Sequence, residues 1–137
     1  MYNQNMKIHP KVTIGHIHLT VSNLDTAISF YRDVLGFEIV SRYGSSAIFL
    51  SAGGYHHHIG LNTWAGVGAK PAPHGHTGLY HFALLYPDRK ELAKALKNII
   101  EKDYPITGTA NHGVSEAIYL NDPDGNGIEL YVDRPKE

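Results

Sequence analysis

The chain has 137 residues, 42% hydrophobic and 18% charged, with a formal net charge of −1. That length suits one domain or two small similar modules sharing a core, and the charge implies no general affinity for nucleic acid or anionic membrane. Cysteine is absent, which excludes a disulfide framework and a thiolate nucleophile.

There is no run of about eighteen apolar residues, and the first seven residues lack a signal-peptide core, so a cytoplasmic protein is expected. Residues 12–21 read as a strand. Ile17, Leu19 and Val21 share one face; Ile14, His16, His18 and Thr20 share the other. Two imidazoles on that face either meet solvent or line a cavity. Ser22 and Asn23 then supply capping side chains, and Leu24, Ala27, Ile28, Tyr31 and Leu35 recur at helical spacing up to a Gly36 cap. Residues 37–40, 47–51 and about 57–63 are the next strand candidates. In the last of these, His56, His58 and Gly60 are expected to face a cavity. Ile59 and Leu61 would pack under the helix, with His57 opposite His58.

Residues 65–78 are rich in Gly, Ala and Pro, have no apolar period, and read as a linker or a loop over a site. Then the pattern restarts. Residues 79–86 form a strand with Leu79, His81, Ala83 and Leu85 on one face. Asp88 and Glu91 resemble a capping box, and Leu92, Ala95, Leu96, Ile99 and Ile100 make an apolar stripe. Residues 106–109 and 115–120 are strands. The turn Asp122-Pro123-Asp124-Gly125-Asn126-Gly127 leads into a last strand, with Ile128, Leu130 and Val132 on one face and Glu129, Tyr131 and Asp133 on the other.

The order is strand, helix, three strands, twice over. Superposing His16 on His81 lays Ala27 on Leu92, Phe30 on Ala95 and Leu35 on Ile100, a weak internal repeat. Each module would bury one sheet face under its helix, and the second module can cover what the first leaves bare. His16 and His81 then occupy matching points, with Glu129 on the final strand. Two neutral imidazoles and a carboxylate make a facial triad with open coordination positions, suited to Fe(II) chemistry with O2. Three separate polar residues that merely face inward would give the same spacing.

The stretch from His16 to Leu24, the run Ala27-Ile28-Ser29-Phe30-Tyr31-Arg32-Asp33-Val34-Leu35-Gly36-Phe37, and the closing stretch from Asp122 to Tyr131 together resemble the vicinal oxygen chelate superfamily. The resemblance runs from about residue 12 to residue 133. It implies an α+β fold of two paired βαβββ modules, about 12–64 and 79–133, whose curled mixed sheets enclose a metal-binding cavity. The metal positions it implies are His16, His81 and Glu129.

Local residues separate the chemistries of that superfamily. Glyoxalase I-like members carry a further carboxylate near Gly60, yet between Glu38 and Asp88 this chain has no Asp or Glu. Fosfomycin-type thiol transferases need clustered basic residues, yet Lys70 is the only Lys or Arg between Arg42 and Arg89. Non-enzymatic bleomycin-binding members generally lack the triad.

Extradiol dioxygenases fit best. His58 matches their acid–base His, His112 a second pocket His, and Tyr119 an inward phenol. The reading implies a divalent metal, Fe(II) first with Mn, Ni or Zn as alternatives, a catechol-like substrate, O2, and a homodimer, with the site assembled either within one chain or across two by module exchange. The alternatives are a glyoxalase-like lyase, a thiol transferase, or a small-molecule-binding protein of the same fold.

Overall fold

The structure is a computed structural model and describes residues 5–134. Module one runs β1 (Ile17–Thr20), α1 (Leu24–Ile28) widening into a π-helical segment (Ser29–Val34), β2 (Glu38–Tyr43), β3 (Ala47–Ser51) and β4 (Ile59–Asn62). Module two runs β5 (His81–Leu85), α2 (Arg89–Glu101), β6 (Gly108–Asn111), β7 (Ser115–Asn121) and β8 (Gly127–Asp133). The strand orders are β1-β4-β3-β2 and β5-β8-β7-β6. The expected doubled βαβββ order is therefore present.

In each sheet the first and last strands of the module pair in parallel, and the other pairs are antiparallel. A parallel pair needs a crossover, which the helix and two intervening strands supply. It also brings the two ends of each module side by side. In module two this sets β5, with His81, against β8, with Glu129.

Asn23 caps α1 by accepting from the Thr26 N–H at 2.9 Å. The expected unbroken α-helix to Leu35 is not what forms. The Leu35 N–H reaches back to the Phe30 carbonyl at 3.0 Å, a wider turn than an α-helix makes. The wider turn lets two adjacent aromatics, Phe30 and Tyr31, both bury fully. Gly36, at φ +92°, then turns the chain toward β2 as expected. Asp88 caps α2 through the Glu91 N–H at 2.8 Å. The α2 stripe is narrower than its spacing suggests: Leu92 and Ile99 are buried, while Ile100 is exposed.

The buried faces of both sheets and both helices join in one core, which includes Ile48, Leu61, Ile128, Leu130, Tyr31 and Ile99. Each such side chain contributes about 1.5–3 kcal/mol on burial. Asn98 ties the helices together by donating to the carbonyls of Asp33 and Val34 at 3.0 and 2.9 Å. The two sheets share no strand pairing and are not closed into a barrel. Their helix-covered faces meet in the core, so each keeps one open face turned away from it. Among the described residues no helix is long and apolar enough to cross a membrane.

Candidate metal centre

On the open face of module two, His81 Nε2 lies 3.2 Å from Glu129 Oε1. His81 pairs with Gly127 and Glu129 with Ala83, so the two side chains meet diagonally across the parallel β5–β8 ladder. Ala83 is small enough to leave the carboxylate room. Gly127 is required: a Cβ there would sit 2.6 Å from the Tyr80 carbonyl and 3.0 Å from the His81 Cβ. Tyr119 pairs directly with Glu129 across β7–β8, and its ring centroid is 6.2 Å from that of His81. Burial, then the negative charge of Glu129, raises the Tyr119 pKa and holds the phenol protonated.

The donor chemistry of this pair fits a divalent ion. Two cis ligands about 2.1 Å from one ion sit about 3 Å apart, close to the spacing observed. The side chains remain 33% and 18% exposed, so the site is open on the side away from the sheet. Three ligands are not gathered within the chain. Among the described residues no group of three His, Asp or Glu side chains converges closely enough to hold an ion. His16 lies on the other sheet's open face, exposed, its ring centroid 4.4 Å from that of His57.

The remaining expected residues divide. His58 is half-buried; its Nδ1 accepts from the Ala52 N–H at 3.2 Å and lies 3.3 Å from Ser51 Oγ. An acceptor Nδ1 puts the proton of the neutral ring on Nε2. His112 is exposed on the turn between β6 and β7, where its backbone N–H donates to the Ser115 carbonyl at 2.9 Å.

His57 does not point away as strand alternation suggests. Its ring packs against His16 and, at 5.0 Å, against Phe49. The β4 ladder begins at Ile59, so His57 lies outside it and is free of its period. This burial, then the charge of His16, lowers the His57 pKa.

Sequence reasoning also passed over an aromatic wall on the same face. His18 lies 5.7 Å from Phe49, edge to face, and 5.4 Å from Trp64. Its ring covers Gly60, where a Cβ would come within 2.9 Å of His18 Nδ1. The position of the further carboxylate in glyoxalase I-like members thus holds an imidazole over bare backbone.

The chain matches the Glyoxalase/Bleomycin resistance protein/Dioxygenase superfamily over residues 13–130 and belongs to it. It is 52% identical over 99 residues to catechol-2,3-dioxygenase of Bacillus subtilis (strain 168), covering 72% of this chain and 35% of that protein. It is 30% identical over 129 residues to biphenyl-2,3-diol 1,2-dioxygenase 3 of Rhodococcus globerulus, covering 93% of this chain and 66% of that one. The chain thus spans about a third of the first relative's length and about two thirds of the second's. A glyoxalase/dioxygenase from Nostoc punctiforme shares the fold, with a TM-score of 0.79 at 19% identity over 98% of this chain and all of that one. The vicinal oxygen chelate resemblance therefore holds for the fold and the family.

Proposed function

We propose that the protein is an extradiol-type dioxygenase that opens a catechol ring with O2. Its metal would be held by His81 and Glu129 of one copy and His16 of a second copy, in a homodimer. The observation that carries this reading is the His81–Glu129 pair, 3.2 Å apart, with Tyr119 directly across from the carboxylate. The likeness to two ring-diol dioxygenases supports it.

Two imidazoles and one carboxylate suit Fe(II), with Mn, Ni or Zn as alternatives; when bound, the ion lowers the pKa of a chelated hydroxyl and leaves positions for substrate and O2. The chain's own groups do the rest. Glu129 and His81 fix one edge of the site from within rigid strands. Tyr119, held protonated, donates to a substrate oxygen. His58 donates from Nε2 to charge developing on the reacting oxygen atoms. Accepting a proton would require Nδ1, which is turned into Ala52 and Ser51. His112, on its exposed turn, is assigned as a further pocket group.

The test is anaerobic loading with Fe(II), then O2 uptake with a panel of catechols. Stoichiometric uptake with a yellow ring-opened product is expected. No uptake with any catechol by the fully loaded protein would remove the dioxygenase assignment.

A further inference from the structure

We propose that the site takes an uncharged aromatic substrate, whose ring substituent lies against the wall formed by His18, Phe49 and Trp64, and discriminates against carboxylated or phosphonated ones. This rests on the proposed ring cleavage and names its substrate class.

The first argument is electrostatic. No strand position on either open face is Lys or Arg. Arg42 pairs with fully buried Ile48 and so points to the helix-covered side. Arg89 and Arg134 are both engaged by Glu116, at 2.6 and 2.7 Å. Glu116 is the partner of buried Val132, and so belongs to the covered side too. Apart from Glu129, assigned to the metal, the charged strand positions that share the open faces are acidic: Glu38 opposite Ser51 and Asp133 opposite Ser115. An anionic substituent lying along these strands, away from the metal, meets like charge and no strand cation.

The second argument is shape. Trp64 is pinned at both ends: its backbone N–H donates to Asn62 Oδ1 at 3.0 Å and its indole N–H to Ser46 Oγ at 3.3 Å. Yet 66% of its surface is exposed. Ser41, opposite Phe49, extends the same face with a small neutral side chain. A fixed indole, a phenyl edge and an imidazole stacked over Gly60 make a preorganised apolar surface for a flat ring.

Trp64 is the only tryptophan, so its fluorescence reports on this wall alone. The probes are biphenyl-2-ol and biphenyl-2-carboxylate, titrated into metal-free protein. They match in size, differ in charge, and carry no adjacent pair of hydroxyls.

Biphenyl-2-ol should quench saturably, and the carboxylate should bind at least about 10-fold more weakly. Phe49→Ala should weaken biphenyl-2-ol about 5-fold or more. Ser41→Arg, which adds a cation beside Phe49 without touching the core, should improve the carboxylate's affinity relative to biphenyl-2-ol. Equal or tighter carboxylate binding to the parent, or no saturable quenching by either probe, overturns the proposal.

Neither metal nor O2 enters these titrations. Saturable quenching without O2 uptake therefore sinks the ring-cleavage reading and keeps the wall. Turnover of carboxylated catechols in preference to neutral ones does the reverse.

Discussion

Tyr31 Oη donates to Asp122 Oδ2 at 2.7 Å, joining the π-helical segment of module one to the last turn of module two, 91 residues on. Both residues are buried. The same carboxylate accepts from the backbone N–H groups of Asp124 and Asn126, each at 2.9 Å, and from Asn126 Nδ2 at 2.8 Å. A residue legible in the sequence only as turn chemistry is thus a buried junction between modules. Tyr31→Phe keeps the ring and removes one donor from a buried carboxylate. It should lower unfolding stability by about 1–3 kcal/mol in denaturant titration. An unchanged midpoint and slope would show that the junction contributes nothing.

Alkaline pH tests the same contact from the other side. Burial, then the charge of Asp122, raises the Tyr31 pKa. Burial pushes Tyr86 and Tyr104 up to about 12. A raised folded pKa means that the stabilisation is complete below the unfolded value, about 10, and is lost as pH rises toward the folded one. Stability should therefore be insensitive to these groups at neutral pH and fall between about pH 10 and 12. Tyr31→Phe should flatten that fall, and thermal melts across the range measure it.

Complementation tests the two-copy site. His16→Ala and Glu129→Ala should each lose metal binding, because three ligands leave no redundancy. Co-refolding the two variants gives mixed dimers in which one site loses both groups and the other keeps all three. Random pairing should restore about a quarter of the parent's bound metal. If the mixture binds no more than the separate variants, the ligands do not come from two copies.

The hydrogen bonds at His58 predict a graded loss. His58→Ala removes the Nε2 donor and should cut turnover about 100-fold with metal content unchanged. His58→Gln keeps an N–H donor and should retain more activity than the Ala variant. Equal losses in both would point to proton uptake instead of donation, and an active Ala variant would remove His58 from the chemistry.

Two glycines on the open faces should respond differently to the same methyl group. Gly127→Ala meets backbone, the Tyr80 carbonyl at 2.6 Å, and must shift β5 at His81. It should cost about 1–3 kcal/mol of stability and weaken metal binding. Gly60→Ala meets a side chain, the His18 ring at 2.9 Å, which can rotate away. It should leave metal binding intact while disturbing the aromatic wall, read through Trp64 fluorescence. Equal metal loss in both variants would break the distinction.

Much of this architecture was legible because periodicity and turn chemistry carry it. Ile128, Leu130 and Val132 alternate in sequence and are buried in the structure, and the repeat matched His16 with His81, while the closeness of His81 to Glu129 comes from the parallel β5–β8 pairing. The π-helical turn was not legible, since Leu24, Ala27, Ile28 and Tyr31 satisfy an α-helical stripe as well. His57 escapes strand alternation because it lies two residues before the first ladder position of β4. The separation of His16 from His81 and Glu129 has no local signal at all. It depends on which faces of two sheets meet, a matter of long-range packing in one core that includes Phe30 and Tyr31.

The open faces look away from the shared core, with His16 on one sheet and His81 and Glu129 on the other. In the proposed two-copy site, metal capture would be second order in protein. Dilution would then strip the ion by separating copies, and the ion, if it binds only associated chains, would draw copies together. Bound metal per chain should then climb with abundance instead of staying constant. Expression level would then be coupled to competence: a scarce pool stays largely metal-free, and the occupied fraction rises gradually with dosage.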